Sequence, residues 1–325
     1  MIEETGSETS AGNLSARECE LCGRAMAPHW EIPDHHGHRW SYLCCEGCRL
    51  VRLKMDRPRG IWRELAYGGS YYGDGYSKFT GAIQVLRELS AWRRAREVSA
   101  LFQRPGKALD IGCGEGLFLN SMKQLGWSVA GCETGGQAAS RAEEVLGQPI
   151  HRGEFETMDG SPGPWEVVML WHVLEHVSDP VGLLRRIAGA LAEGGLLILA
   201  VPNATSWQAR FFGPHWFHLD PPRHLSSWGM DHLTRLAEKT GWRIIESHHF
   251  SLEYNPFGWA QSLLNALGWK RDAMYETLKR HAKPVKGALM HRIAAWTLLG
   301  PSIIPAILEA AAKQGGTVAL YLRKT

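Results

Sequence analysis

The sequence carries little excess charge. Its 36 lysines and arginines nearly balance 33 aspartates and glutamates, leaving a formal net charge of +3. That is too weak a field to imply nucleic-acid binding by itself. Cysteine is scarce, at seven in 325 residues, which excludes a disulfide scaffold. No apolar run reaches the ~20 residues that a transmembrane helix needs. The uncharged run 293–308 has 16 residues and contains Gly300, Pro301 and Pro305. Internal repeats are absent. The opening residues (MIEETGSETSAG) are acidic and polar and do not read as a secretory signal. Together these absences predict a reducing, cytoplasmic setting. What remains is an ordinary globular balance, 44% hydrophobic and 21% charged. It excludes wholesale disorder, and the length allows two domains.

Four parts follow from composition. Residues 1–16 read as a disordered tail and 17–57 as a Cys- and His-rich module. Residues 58–82 form a Gly- and Tyr-rich linker loop, and 83–325 an α/β domain. In the last part, apolar spacing predicts a helix over 83–102. Strands are expected at 107–111, 127–132, 165–171, 196–201, 242–249 and 317–322. Helices are expected at 117–125, 137–146, from 180 to about 194, and at 230–239. Asp179 is the cap of the third, with Pro180 at its first position, where a missing N–H does no harm. Strands alternating with helices of this length predict a parallel sheet covered on both faces.

Asp110-Ile111-Gly112-Cys113-Gly114-Glu115-Gly116 reads as strand, glycine turn and helix start. Small residues let the backbone approach a ligand, and the helix N-terminus offers free N–H groups. The dinucleotide fingerprint requires a sixth-position glycine, where Leu117 stands, and no Gly-Lys-Ser/Thr follows. Glu133, at the end of the second strand, is placed to accept both ribose hydroxyls of a nucleoside.

These residues resemble the class I S-adenosylmethionine-dependent methyltransferases. The strand Trp165-Glu166, the segment Val173-Leu174-Glu175-His176-Val177 before Asp179-Pro180, and Gly194-Gly195 before the fifth strand agree in order. The family has Asp where this sequence has Glu133 and Glu166. The resemblance covers about 83–251 and the final strand. It implies an enzyme with a Rossmann-like sheet of seven strands, the last antiparallel. It also implies S-adenosyl-L-methionine as donor, held by Asp110, Gly112, Cys113, Gly114 and Gly116 at its methionine end. Glu133 would hold the ribose, and Glu154 and Phe155 the adenine, with His172 beside the site.

Cys19/Cys22 and Cys45/Cys48 are two CxxC knuckles. Four thiolates so spaced close a tetrahedral zinc site of the structural kind. Cys44 allows a slipped alternative, but only Cys45 keeps the CxxC spacing to Cys48. His29, His35, His36 and His38 are expected at the surface.

Residues 211–226 follow the fifth strand, at the sheet edge where open α/β folds bind ligands. Trp216, His218 and Arg223 there suit a polar acceptor held against aromatic walls; for His215 and His218 a packed aromatic loop is the plainer alternative. A knuckle, a Tyr-rich loop and this core together resemble the bacterial zinc-knuckle methyltransferases, including the sugar C-methyltransferases. That resemblance implies His224 as base and Tyr72 and Tyr76 as acceptor contacts. The sugar enzymes carry a further C-terminal α/β domain for which this sequence is too short. His172 is a second candidate base; spaced i, i+4 with His176, it would share a helix face with it.

Lys270, Arg271, Lys279, Arg280, Lys283, Lys286 and Arg292 precede the apolar run. Basic beside apolar suggests peripheral contact with an anionic membrane through 270–308. The competing reading of 257–313 is a helical lid whose apolar face packs on the domain, favoured because the run is short. The function expected is methyl transfer to a small polar biosynthetic acceptor: glycosyl, polyketide-like or lipid-linked. One alternative is an RNA methyltransferase gripping RNA with the knuckle and Arg87, Arg93, Arg94, Arg96 and Arg104. The near-zero charge and the missing Asn-Pro-Pro-aromatic motif argue against it. Another is a non-catalytic module that binds the donor and recruits a partner.

Overall fold

A computed structural model of the protein describes residues 18–55, 61–62, 65–66, 81–158, 163–278 and 288–325. The cysteine-rich segment forms an antiparallel meander of β1 (Met26–Pro33), β2 (Arg39–Cys45) and β3 (Val51–Leu53). Asp34 shapes its first turn: Oδ1 accepts the N–H groups of His36 and His38 at 2.8 and 2.9 Å, and Oδ2 accepts Trp40 Nε1 at 3.0 Å. A carboxylate mimicking a backbone acceptor in this way closes an Asx turn. His29, His36 and His38 are exposed, as expected. Part of the expected linker loop is ordered helix, since residues 61–62 and 65–66 are helical and Trp62 and Ala66 are buried.

The alternation then runs α1 (Ala82–Ser99), β4 (Lys107–Ile111), α2 (Leu117–Gln124), β5 (Ser128–Cys132), α3 (Gly136–Leu146), β6 (Trp165–Trp171), α4 (Pro180–Ala190) and β7 (Leu191–Pro202). After α5 (Trp207–Phe212), β8 (Ser226–Ser227), α6 (Met230–Thr240) and β9 (Trp242–His248) come α7 (Asn255–Ala266), α8 (Ala273–Leu278), α9 (Ala288–Ala311) and β10 (Thr317–Lys324). Strand β4 shows why the sheet is central: Ala108, Leu109, Asp110 and Ile111 are all buried, so both its faces are covered. Separate apolar clusters fill the two faces. Asp179 caps α4 as expected, accepting the N–H of Gly182 at 2.9 Å. That helix stops at Ala190, short of the glycines, because Leu191 already pairs with Trp165 of β6.

The sheet order is β5-β4-β6-β7-β10-β9, with β10 antiparallel to both neighbours. Among the described residues six strands are hydrogen-bonded, where the resemblance implies seven. The missing one, beyond β5, is reduced to a bridge between Cys132 and His151. Pro149 has no N–H to extend that ladder, and the chain turns away into the short helical turn Phe155–Thr157.

The knuckle is interlocked with the α/β domain. Strand β3 pairs with β8, making a second sheet ordered β1-β2-β3-β8. Tyr42 donates its hydroxyl to the carbonyl of Leu219 at 3.0 Å, and Trp62 Nε1 donates to Pro222 at 2.9 Å. Ile32, Trp40 and Tyr42 share one buried cluster with Phe212, Trp216 and Leu219.

Helix α9 departs from expectation. It continues through Pro301 and Pro305. Its stretch Leu289–Ala311 is long and apolar enough, by length and composition, to cross a membrane. As a lid it would bury its large apolar residues, yet Leu289, Ile293, Trp296, Ile304 and Ile307 are exposed.

Candidate active site

The glycine loop joins β4 to α2. Gly112, Gly114 and Gly116 all adopt positive φ, a region that L side chains rarely enter. A Cβ on Gly112 would lie 2.6 Å from Val173 Cγ2, whereas the space over Gly114 is open. The Cys113 side chain turns away into the core on one face of the sheet, so this residue offers a ligand only its backbone. Glu133, at the tip of β5, accepts the N–H of Gly114 at 2.9 Å with one oxygen and that of Gly135 at 2.8 Å with the other. It thus braces the loop. Asp110 is buried with Oδ1 unpartnered. Burial raises its acid to about 8, against the attraction of Arg94 and with the repulsion of Glu133. Glu154 is partly exposed, while Phe155 belongs to the core.

Helix α1 brings two arginines of the expected RNA-gripping set, Arg87 and Arg94, to the site instead. Arg87 pairs with Glu115 of the glycine loop at 3.0 Å. Arg94 lies 4.1 Å over the ring of Trp171 and pairs with Glu253 at 3.0 Å. Both arginines turn inward, which removes them from any RNA-gripping face.

The polar cluster lies at the end of β6. His172 and His176 do not share a helix face, because the chain makes only the 3-10 turn Leu174–His176. His172 has φ 54°. Its Nδ1 is 3.2 Å from Glu175 Oε1 and its ring lies 4.1 Å from Tyr254, while its buried Nε2 has no partner. Burial, with Arg94 nearby, lowers its pKa to about 3, so His172 is a neutral wall at ordinary pH.

His224 Nδ1 is 2.7 Å from the carbonyl of His218. A carbonyl only accepts, so Nδ1 carries the hydrogen and Nε2 keeps its lone pair. Nε2 lies 3.8 Å from Asp220 Oδ2 and 4.0 Å from Glu175 Oε1. Burial lowers the pKa of this histidine, opposed by the two carboxylates. His176 Nδ1 is held likewise, 2.9 Å from the carbonyl of Arg223, with its ring 4.8 Å from that of His224. Glu175 is fully buried and its Oε2 has no partner. Glu175, His176 and His224 bring three ligand atoms within 4.8 Å, a set able to take up a proton or a cation.

Two expected acceptor contacts prove structural. Trp216 is buried in the knuckle–domain cluster, donating to Gln208 at 3.3 Å. Arg223 is 4% exposed and clamps Asp220 through two bonds, one of them Nε to Oδ2 at 2.8 Å. His218 is buried 6.5 Å from His172, ring to ring, with Nε2 unpartnered, so it reaches the site. Tyr72 and Tyr76 lie outside the described residues. Glu175, Asp220 and Tyr254 join the site as well; in sequence Glu175 stands in the segment 173–177, while Asp220 and Tyr254 carry no signal.

In the knuckle, the four sulfurs of Cys19, Cys22, Cys45 and Cys48 lie within 4.8 Å of one another. Cys45 Sγ accepts the N–H groups of Gly47 and Cys48 at 3.3 and 3.4 Å. Burial pushes the Cys45 thiol up, yet these donors and Cys22 outweigh it and bring its pKa down to about 7. Cys44 points elsewhere, toward the carbonyls of Cys45 and Arg49 at 3.8 Å, which removes the slipped pairing.

Residues 84–247 match the family described as a methyltransferase domain. A ubiquinone biosynthesis O-methyltransferase of Caulobacter sp. (strain K31) is 39% identical over 189 residues, covering 56% of this chain and 68% of its own. Its counterpart in Cereibacter sphaeroides (strain ATCC 17025 / ATH 2.4.3) is 28% identical over 193 residues, covering 56% and 77%. A solved structure from Galdieria sulphuraria, described as a sarcosine dimethylglycine methyltransferase, shares the fold with TM-score 0.50 at 13% identity, over 82% of this chain and 97% of its own. Fold, glycine loop and relatives define a class I S-adenosylmethionine-dependent methyltransferase. The chain belongs to the methyltransferase domain family.

Proposed function

We propose that this enzyme methylates a small-molecule biosynthetic acceptor, with His224 as general base and an N-terminal structural zinc site. The observation that carries the reading is the orientation of His224: the His218 carbonyl holds Nδ1–H, so Nε2 is the basic atom. S-adenosylmethionine, when bound, supplies a methyl group already activated on a sulfonium sulfur. The chain's residues align, desolvate and remove a proton. Asp110, Glu133, Glu154, Phe155 and the backbone of Gly112, Cys113, Gly114 and Gly116 would hold the donor. The open space over Gly114 and the unpartnered Asp110 oxygen fit a ligand there. His224 Nε2 would take the acceptor's proton, and Glu175 and Asp220 would stabilise the resulting imidazolium. The buried rings of His172, His218 and Tyr254 exclude water. Relatives named for O-methylation in ubiquinone biosynthesis favour a hydroxyl acceptor over a glycosyl carbon.

The donor set of the knuckle fits zinc: four sulfurs in one cluster, with N–H groups aimed at one of them. There the metal would hold Cys19, Cys22, Cys45 and Cys48 together and take no part in the reaction.

The test is transfer of labelled methyl into host extract made without this enzyme, followed by RNase. Label resistant to RNase in a small-molecule fraction supports the reading. Label released by RNase overturns it in favour of RNA methylation, and no label at all supports the non-catalytic module.

A further inference from the structure

Helix α9 is amphipathic in the reverse of the usual sense. On its inner side Ala295, Ala306 and Glu309 are buried, with Leu298 and Leu299 packed against the cluster of α7 and α8. Its outer side is large and apolar, with Trp296 74% and Ile304 65% exposed beside Ile293, Ile307 and Leu308. A helix covering a soluble core turns its apolar stripe inward. The surface continues onto neighbouring helices. Leu263 of α7 and Leu267 just after it are exposed, and Phe211 of α5, 75% exposed, lies against Trp259 of α7. Monomeric soluble proteins rarely leave contiguous apolar patches this broad uncovered.

The charge around this face is mainly of one sign. Of the two acids in α5, α7, α8 and α9, one is Glu276, half-buried on α8, and the other is Glu309. It is fully buried, accepting Gln208 Nε2 at 2.8 Å and the N–H of Gly316 at 2.9 Å. Arg210, Lys270 and Lys313 are exposed on or directly after these elements. An apolar face with exposed aromatics, basic residues around it and no fully exposed acid among the described residues of its helices is the composition that anionic lipid selects. A lipid surface needs only apolar area and charge of the opposite sign, and this face offers both.

We infer that the outward face of α9, with Phe211 and Leu267, docks this protein on an anionic lipid surface, lying along it. The helix does not cross, because α7 and α8 pack against its inner side and Glu309 ties its C-terminal end to the domain. This inference does not depend on which acceptor is methylated.

Sedimentation of the full chain with phosphatidylcholine–phosphatidylglycerol vesicles tests it, against phosphatidylcholine alone. The protein is expected to pellet with the anionic vesicles and to partition on the order of a hundredfold less onto the neutral ones, from three basic residues near the surface. Trp296→Glu and Ile304→Glu, both at exposed positions, are expected to abolish pelleting without shifting the melting temperature. Leu89→Glu, exposed on α1, is the control expected to keep it. Absence of pelleting with anionic vesicles overturns the inference. So does pelleting that survives both variants, or a stable dimer that Ile304→Glu dissociates, which would assign the face to a second copy. Donor affinity measured on the same samples separates failure here from failure of the methyltransferase reading.

Discussion

The main-chain N–H of Leu53 donates to the carbonyl of Leu225 at 2.9 Å. Leu225 in turn donates to the carbonyl of Glu175 at 2.7 Å. Two hydrogen bonds therefore connect the third strand of the knuckle, the residue after His224 and the carboxylate facing His224. His232 adds a second tie, with Nε2 at 2.9 Å from the carbonyl of Cys48. The cysteine-rich segment is a brace for the candidate base.

Loosening that brace is expected to lower turnover more than donor affinity. Cys45→Ser, or removal of metal with a chelator, should lower Tm by about 2–3 °C, the shift expected for a loss of one or two kcal/mol at this size. Differential scanning and calorimetric titration of the donor check this together. Unchanged Tm after chelation would show that the four sulfurs hold no structural metal.

His224→Asn should keep donor affinity and lower kcat/KM by roughly 10²–10⁴-fold, the usual range for general base catalysis. The base works only when unprotonated, and burial lowers its pKa. The acid limb of the kcat/KM profile should therefore fall below the ordinary histidine value of about 6.5. A limb at or above that value would move the role elsewhere, with His176 next.

Glu133→Gln replaces the charged acceptor of the Gly114 and Gly135 N–H groups. Charge-assisted hydrogen bonds contribute roughly 1.5–3 kcal/mol each, so donor affinity should drop about tenfold or more. Titration calorimetry measures it, and wild-type affinity would remove Glu133 from the donor site.

Acid should destabilise the fold through its buried neutral histidines. Burial, with His172 close by, lowers the pKa of His218 to about 3, while the unfolded value is about 6.5. Below pH ~6.5 the unfolded chain binds this proton and the folded chain does not, so the contribution is intact above that pH and is lost as pH falls toward the folded value. His218→Asn should take up about one proton fewer on unfolding near pH 5. Denaturation at stepped pH reads this as a shallower slope for the variant, and identical slopes would mean that His218 is not held neutral.

Much of this protein is set by short-range pattern. The spacing of Gly112, Gly114 and Gly116 after a buried strand marks a ligand loop because positive φ and close approach are local demands. The i, i+3 cysteines mark a metal knuckle for the same reason. Asp179 and Pro180 start a helix through their own backbone chemistry. The approach of Glu175 to His224 is different, since 48 positions intervene and only the packing of β3 on β8 brings them together. Trp216 and Arg223 read as acceptor contacts in sequence, because composition cannot show that a core cluster and an Asp220 clamp already occupy them. Helix α9 reads as a lid by its apolar residues. Only the packing of α7 and α8 decides which side of that helix faces inward and leaves Trp296, Ile304 and Ile307 to the solvent.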